Sequence, residues 1–217
     1  MALEKEVDPQ VLERVRAQAR ELYEKHVRQN PSQTLTKSRD ESLTLMREWV
    51  ASEPLRNHML AVEAAMIAYA QKFGEDAALW GAAGLLHDFD YEKNPTIESH
   101  VLAGIPVLTA AGYPAAMLDA IMGHADYFGL PRETRFAKTL FAVDELCGFL
   151  TAVAYVRPTK SLAGIEFSSI NKKLKDRAFA RAVSRDDIRK GAEELGVDFP
   201  EHVLFVARAL QQLEPVP

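Results

Sequence analysis

Leu79–Pro95, LWGAAGLLHDFDYEKNP, is the stretch whose reading decides the fold. Its opening run LWGAAGLL is apolar without alternation and reads as a buried helix. His87-Asp88 closes that run, and a polar loop begins at Phe89. Neighbouring residues on a helix point about 100° apart, so both can reach one point only at a helix end or a bend. A histidine meeting the helix dipole and an aspartate starting a turn would account for the dipeptide alone. The rest of the chain makes that account insufficient. His58 lies upstream and His100, His124 and Asp144 lie downstream, so four of the chain's six histidines join one set.

Outward from this stretch the chain reads as helix after helix, with no convincing alternating strand. Asp8-Pro9 is an N-cap followed by proline at the first helical position, and that helix runs to about residue 29, where Asn30-Pro31 stops it. Residues 31–40, PSQTLTKSRD, read as a polar linker. Residues 1–40 are therefore taken as an N-terminal helical extension and 41–217 as the main domain. Helices are expected near 41–52, 54–73 and 76–88, then from the Thr96/Ser99 caps to Gly112 with Pro106 kinking or shortening it. Further helices are expected from Pro114 to His124, over 134–156, and near 169–182, 185–195 and 201–213. The fold class is all-α.

His58 lies on the stripe Leu55, Met59, Val62, Met66, Tyr69, Phe73. A lone histidine there is more often a hydrogen-bonded core residue than a ligand. His124 follows Met117, Ala120 and Ile121 at helical spacing, whereas His100, beside Glu98 and Ser99, has an ordinary surface setting. Asp144 shares an inward stripe with Phe136, Leu140, Val143, Cys147 and Leu150. Burying a carboxylate there costs on the order of several kcal/mol unless a cation or hydrogen-bond donors offset it. Inward imidazoles and carboxylates on several helices make a metal the better explanation. With no thiolate among them, they suit one or two divalent ions such as Fe, Mn, Ni, Co or Mg.

Composition narrows the classes. Hydrophobic residues at 47% leave disorder aside, and a net charge of −5 argues against general nucleic-acid binding. The N-terminal MALEKEVDPQ lacks the apolar core of a signal peptide, and no run reaches the ~18 uncharged apolar residues of a membrane span. The single Cys147 fits a reducing compartment, so the expectation is a cytoplasmic protein without membrane association.

The ordered series His58, His87-Asp88, His100, His124, Asp144 resembles the HD-domain superfamily of metal-dependent phosphohydrolases. GLLHDFDYEK and RPTKSL are also similar to a group of small HD-domain hydrolases. The resemblance implies an all-α bundle in which His58, His87, Asp88 and Asp144 hold one ion, while Asp88 bridges to a second held by His100 and His124. It implies hydrolysis, through metal-activated water, of a phosphate ester or anhydride in a small, nucleotide-like molecule. In that setting Asp90 or Glu92 would position water or shuttle a proton, and Lys93 would meet a phosphate oxygen. Arg157 and Lys160, in the loop after the Asp144 helix, are the substrate-binding candidates. The run Lys172–Arg177 reads as a solvated face. The double-His and Gly-Tyr-Pro features of the cyclic-di-GMP phosphodiesterases in this superfamily are missing: Gly123 replaces the first His, and Gly112-Tyr113-Pro114 lies upstream. No clean HD-x-x-E arrangement occurs either. A di-iron oxygenase of the same fold and a non-catalytic metal-stabilised sensing domain are the competing readings. Residues 1–40 could cover the site, support a homodimer, or extend the core.

Overall fold

The structure, a computed structural model, describes residues 7–213, and all regular elements among them are helical. They are α1 (Pro9–Tyr23), α2 (Arg39–Trp49), α3 (Glu53–Phe73), α4 (Ala77–Leu86), α5 (Gly104–Ala110), α6 (Ala115–His124), α7 (Arg135–Val156), α8 (Phe167–Lys175), α9 (Arg185–Leu195) and α10 (Phe199–Leu210). Local chemistry sets most boundaries. Asp8, Ser52, Asp76, Thr134, Ser184 and Asp198 each accept a backbone N–H at a helix start. Ser38 and Glu41 form a full capping box. That box starts α2 two residues earlier than the linker reading allows.

Two other boundaries differ from expectation. Regular helix before Gly112 begins only at Gly104, which leaves Pro106 in the first turn, where its missing N–H costs least. Residues 97–103, including His100, form successive turns instead. Val101 there has φ +66°, a left-handed conformation strained for a β-branched side chain. The helix expected over 169–182 spans only Phe167–Lys175, and the following turns include Ala180 at φ +43°.

α3, α4, α6 and α7 form the centre. α3 and α4 approach so closely that a Cβ on Gly84 would lie 2.8 Å from the Glu63 backbone. α9 meets α7 as closely: a Cβ on Gly191 would lie 2.5 Å from Ala142 Cα. α7 is long and apolar enough to cross a membrane by composition, but most of it is buried among the other helices. α1 packs on α6 and the 3-10 turn Asp126–Phe128, with Val15 and Ala19 wholly buried. The N-terminal helix thus shares the main core. Arg39 grips the buried Glu63 through two bonds of 2.6 and 2.8 Å, tying α2 to α3.

Candidate metal centre

The four central helices and the turns before α5 bring six side chains together. His58 comes from the second turn of α3, His87 caps the C-terminus of α4, and Asp88 follows it. His100 comes from the 97–103 turns, His124 ends α6, and Asp144 lies in the middle of α7. Their donor atoms form two triads, each of which could hold an ion: His58, His87 and Asp144 in one, Asp88, His100 and His124 in the other.

Asp88 stands between them. Its Oδ2 lies 3.5 Å from His87 Nε2 and 3.9 Å from His58 Nε2. Its Oδ1 lies 3.2 Å from His100 Nε2 and 3.4 Å from His124 Nε2. Asp144 Oδ1 is 3.0 Å from His58 Nε2 and 3.3 Å from His87 Nε2. Each oxygen of one carboxylate therefore faces a different pair of imidazoles.

Three histidines are oriented from behind. His87 Nδ1 contacts Gly84 O at 2.8 Å and His124 Nδ1 contacts Ile121 O at 2.6 Å. A carbonyl can only accept, so Nδ1 carries the proton in both rings and Nε2 turns inward. His100 Nδ1 meets Asp90 Oδ1 at 3.0 Å. Such partners orient metal-binding imidazoles and raise their basicity. His87 Nε2 is buried and has no hydrogen-bond partner. That nitrogen faces Asp144 Oδ1 at 3.3 Å and Asp88 Oδ2 at 3.5 Å without a well-formed hydrogen bond, a place that an ion would fill. The all-N/O donor set and this orphaned nitrogen fit a divalent metal.

The electrostatics agree. Burial disfavours a charged His87, yet Asp88 and Asp144 outweigh it and push its pKa up to about 9. For His100 burial again opposes, while Asp88 and Asp90 prevail, also to about 9. Burial alone would raise Asp88 and Asp144, but His87 and the other imidazoles hold both well below the usual carboxylate range. Without metal, protons on imidazole offset the carboxylate charge, which is the role a cation takes over when it binds.

All of the set except His87 lines one cavity of about 290 Å3, whose wall includes Tyr91, Tyr127 and Phe141. Asp126, Glu145 and Asp187 also line it, and among the described residues no Lys or Arg does. The sequence reading missed these carboxylates. Asp126 and Tyr127, directly after GHA at the end of α6, were within its reach, whereas Asp187, in the first turn of α9, carries no local signal that it meets the others.

The other sequence candidates have different surroundings. Asp90 is buried outside the cavity, accepting from His100 and from Gly104 N at 3.1 Å, so it positions His100 instead of facing solvent in a loop. Glu92 Oε2 accepts the N–H groups of Ala51 and Ser52, both at 2.9 Å, which satisfies donors at the start of α3. Lys93 Nζ sits 4.2 Å from the Trp49 ring centroid and donates to Glu48 O. Arg157 donates to Ala163 O and Lys160 to Tyr155 O, and neither lines the cavity. Their distance follows from helix geometry: the rise from Asp144 to the end of α7 is on the order of 20 Å.

Fold and site define an all-helical protein with a paired His/Asp centre shared through one aspartate. Residues 55–148 match the HD domain family, a segment that holds all six side chains, and the chain therefore carries an HD domain. No curated protein and no solved structure matches it.

Proposed function

We propose that the protein is a metal-dependent phosphohydrolase acting on a phosphate ester or anhydride of a small molecule. The supporting observation is Asp88, a cavity-lining residue whose two oxygens face separate histidine pairs. His58, His87, Asp144 and Asp88 Oδ2 would hold one divalent ion; Asp88 Oδ1, His100 and His124 would hold the other. When bound, such ions polarise a phosphoryl oxygen and lower the pKa of water. The chain's own groups do the positioning: Asp90 fixes the His100 ring, Gly84 O and Ile121 O fix His87 and His124, and Tyr91, Tyr127 and Phe141 line the cavity beside them. A second reading, an HD-domain oxygenase of small organic substrates, draws support from the absence of Lys and Arg among the described residues of the cavity lining.

Protein purified without oxygen and reconstituted with Fe, Mn, Ni, Co or Mg separates these readings. Phosphate release from a panel of small esters and anhydrides, lost in Asp144→Ala, is the expected result. Oxygen consumption without phosphate release would favour the oxygenase. Two bound ions with neither activity would leave a non-catalytic binding domain.

A further inference from the structure

We infer that the cavity selects a substrate with a single phosphoryl group and a short remainder that is cationic, and that it rejects substrates with further negative charge. This inference rests on the phosphoryl chemistry proposed above and adds the charge class of the group attached to phosphorus.

Charge balance carries it. Two divalent ions set against Asp88 and Asp144 leave a surplus of two positive charges, enough for one phosphate monoester at about −1.5 to −2. Nothing else in the lining would hold a second anionic group, since no Lys or Arg is there among the described residues. The remaining charged lining groups are carboxylates. Asp126 is already neutralised, by Lys190 at 2.7 Å and by Arg132 at 2.7 Å. Glu145 accepts the Ser184 N–H at 3.0 Å. Asp187 is half-buried, lines the cavity and has no ion-pair partner among the described residues. Tyr91 and Tyr127 add aromatic rings to the lining, and such rings attract a cation over an anion; Phe141, also in the lining, already carries Arg132 over its ring at 3.7 Å. A cavity of about 290 Å3 is at the small end for ligand sites, so the remainder is short.

Three non-hydrolysable probes of similar size read this directly: 3-aminopropylphosphonate, butylphosphonate and 3-phosphonopropionate. Their Kd values are measured by titration calorimetry on protein carrying its full metal complement. The aminopropyl compound should bind at least about tenfold more tightly than the carboxylate compound, with butylphosphonate between them. Asp187→Asn should shrink the aminopropyl-to-butyl ratio by about fivefold to tenfold, and Asp187→Glu should largely restore it. Metal content and melting temperature of the variants check that they fold. Equal or inverted ranking in the wild-type protein overturns the inference while leaving the phosphoryl site intact. A ratio unchanged in folded Asp187→Asn overturns the assignment to that residue and with it the inference as stated. If no phosphonate binds the metal-loaded protein, the phosphohydrolase reading fails, and this inference falls with it.

Discussion

A histidine whose Nδ1–H is committed to a carbonyl presents its Nε2 lone pair in a fixed direction, and this chain uses that arrangement twice. His87 and His124 each end a helix and turn back to the carbonyl three residues earlier, at Gly84 and Ile121. The helix terminus supplies both the free carbonyl and the change of direction that lets His87 and Asp88 point to one centre. A titration prediction follows. In the metal-free protein His87 and His100 have pKa values raised from 6.5 to about 9. A raised histidine contributes stability that is present below 6.5 and lost as pH rises through about 9. The depressed Asp88 and Asp144 contribute stability that is lost only when pH falls below the ordinary carboxylate range. Tm of the metal-free protein should therefore decline between pH 6.5 and 9. Metal binding near pH 7 should release protons, and affinity should rise with pH across the same window. Calorimetric titration in buffers of different ionisation enthalpy measures that release, and zero net release would contradict the charge assignment.

At the scale of elements, the site depends on how closely helices approach. Gly84 lets α4 lie against the α3 backbone beside Glu63, and the His58 and His87 rings carried by these two helices lie with centroids 5.2 Å apart. The atoms a Cβ would meet are backbone, so no side chain can move aside. Gly84→Ala should cost about 1–3 kcal/mol in denaturant unfolding and weaken metal uptake. Unchanged stability and metal content would mean the helices are free to part. Arg132 does comparable work at the end of α6. Its side chain is 5% exposed and bonds Gly123 O, Asp126 and Glu194 while covering the Phe141 ring. Arg132→Met strands those acceptors and frees the segment carrying His124. We expect a loss of about 1–3 kcal/mol, reduced from the fully buried case because Asp126 and Glu194 are 27% exposed, and a selective drop in the ion bound by His100 and His124. Metal analysis of the folded variant checks this, with full occupancy the contrary outcome. Element boundaries were legible at Asp8-Pro9 and Pro114, where a cap or a proline marks them, but the Ser38 capping box was hidden in a stretch read as linker. Where a proline allows two outcomes, as before α5, the sequence did not show that His100 would sit in turns.

Over the whole molecule, legibility divides by range. The inward stripes of α3 and α7 and the position of His87-Asp88 at a helix end are local patterns, so the six clustered side chains could be read from spacing and resemblance. Which loop charges face the cavity depends on long-range packing. Glu92 and Lys93 turn to the α2–α3 connection, and Arg157 and Lys160 lie at the far end of a 22-residue helix. Asp187 reaches the cavity from α9, a helix that Gly191 lets press against α7. Residues 1–40, read as an extension, bring Val15 and Ala19 into the core and Arg39 to Glu63.

The most direct test of the two-triad centre is metal stoichiometry in protein purified without oxygen, wild type beside Asp88→Ala and His124→Ala. The account predicts two ions per wild-type chain, about one in His124→Ala, and loss or weakening of both in Asp88→Ala. No bound metal after reconstitution, or a stoichiometry indifferent to both substitutions, would contradict it.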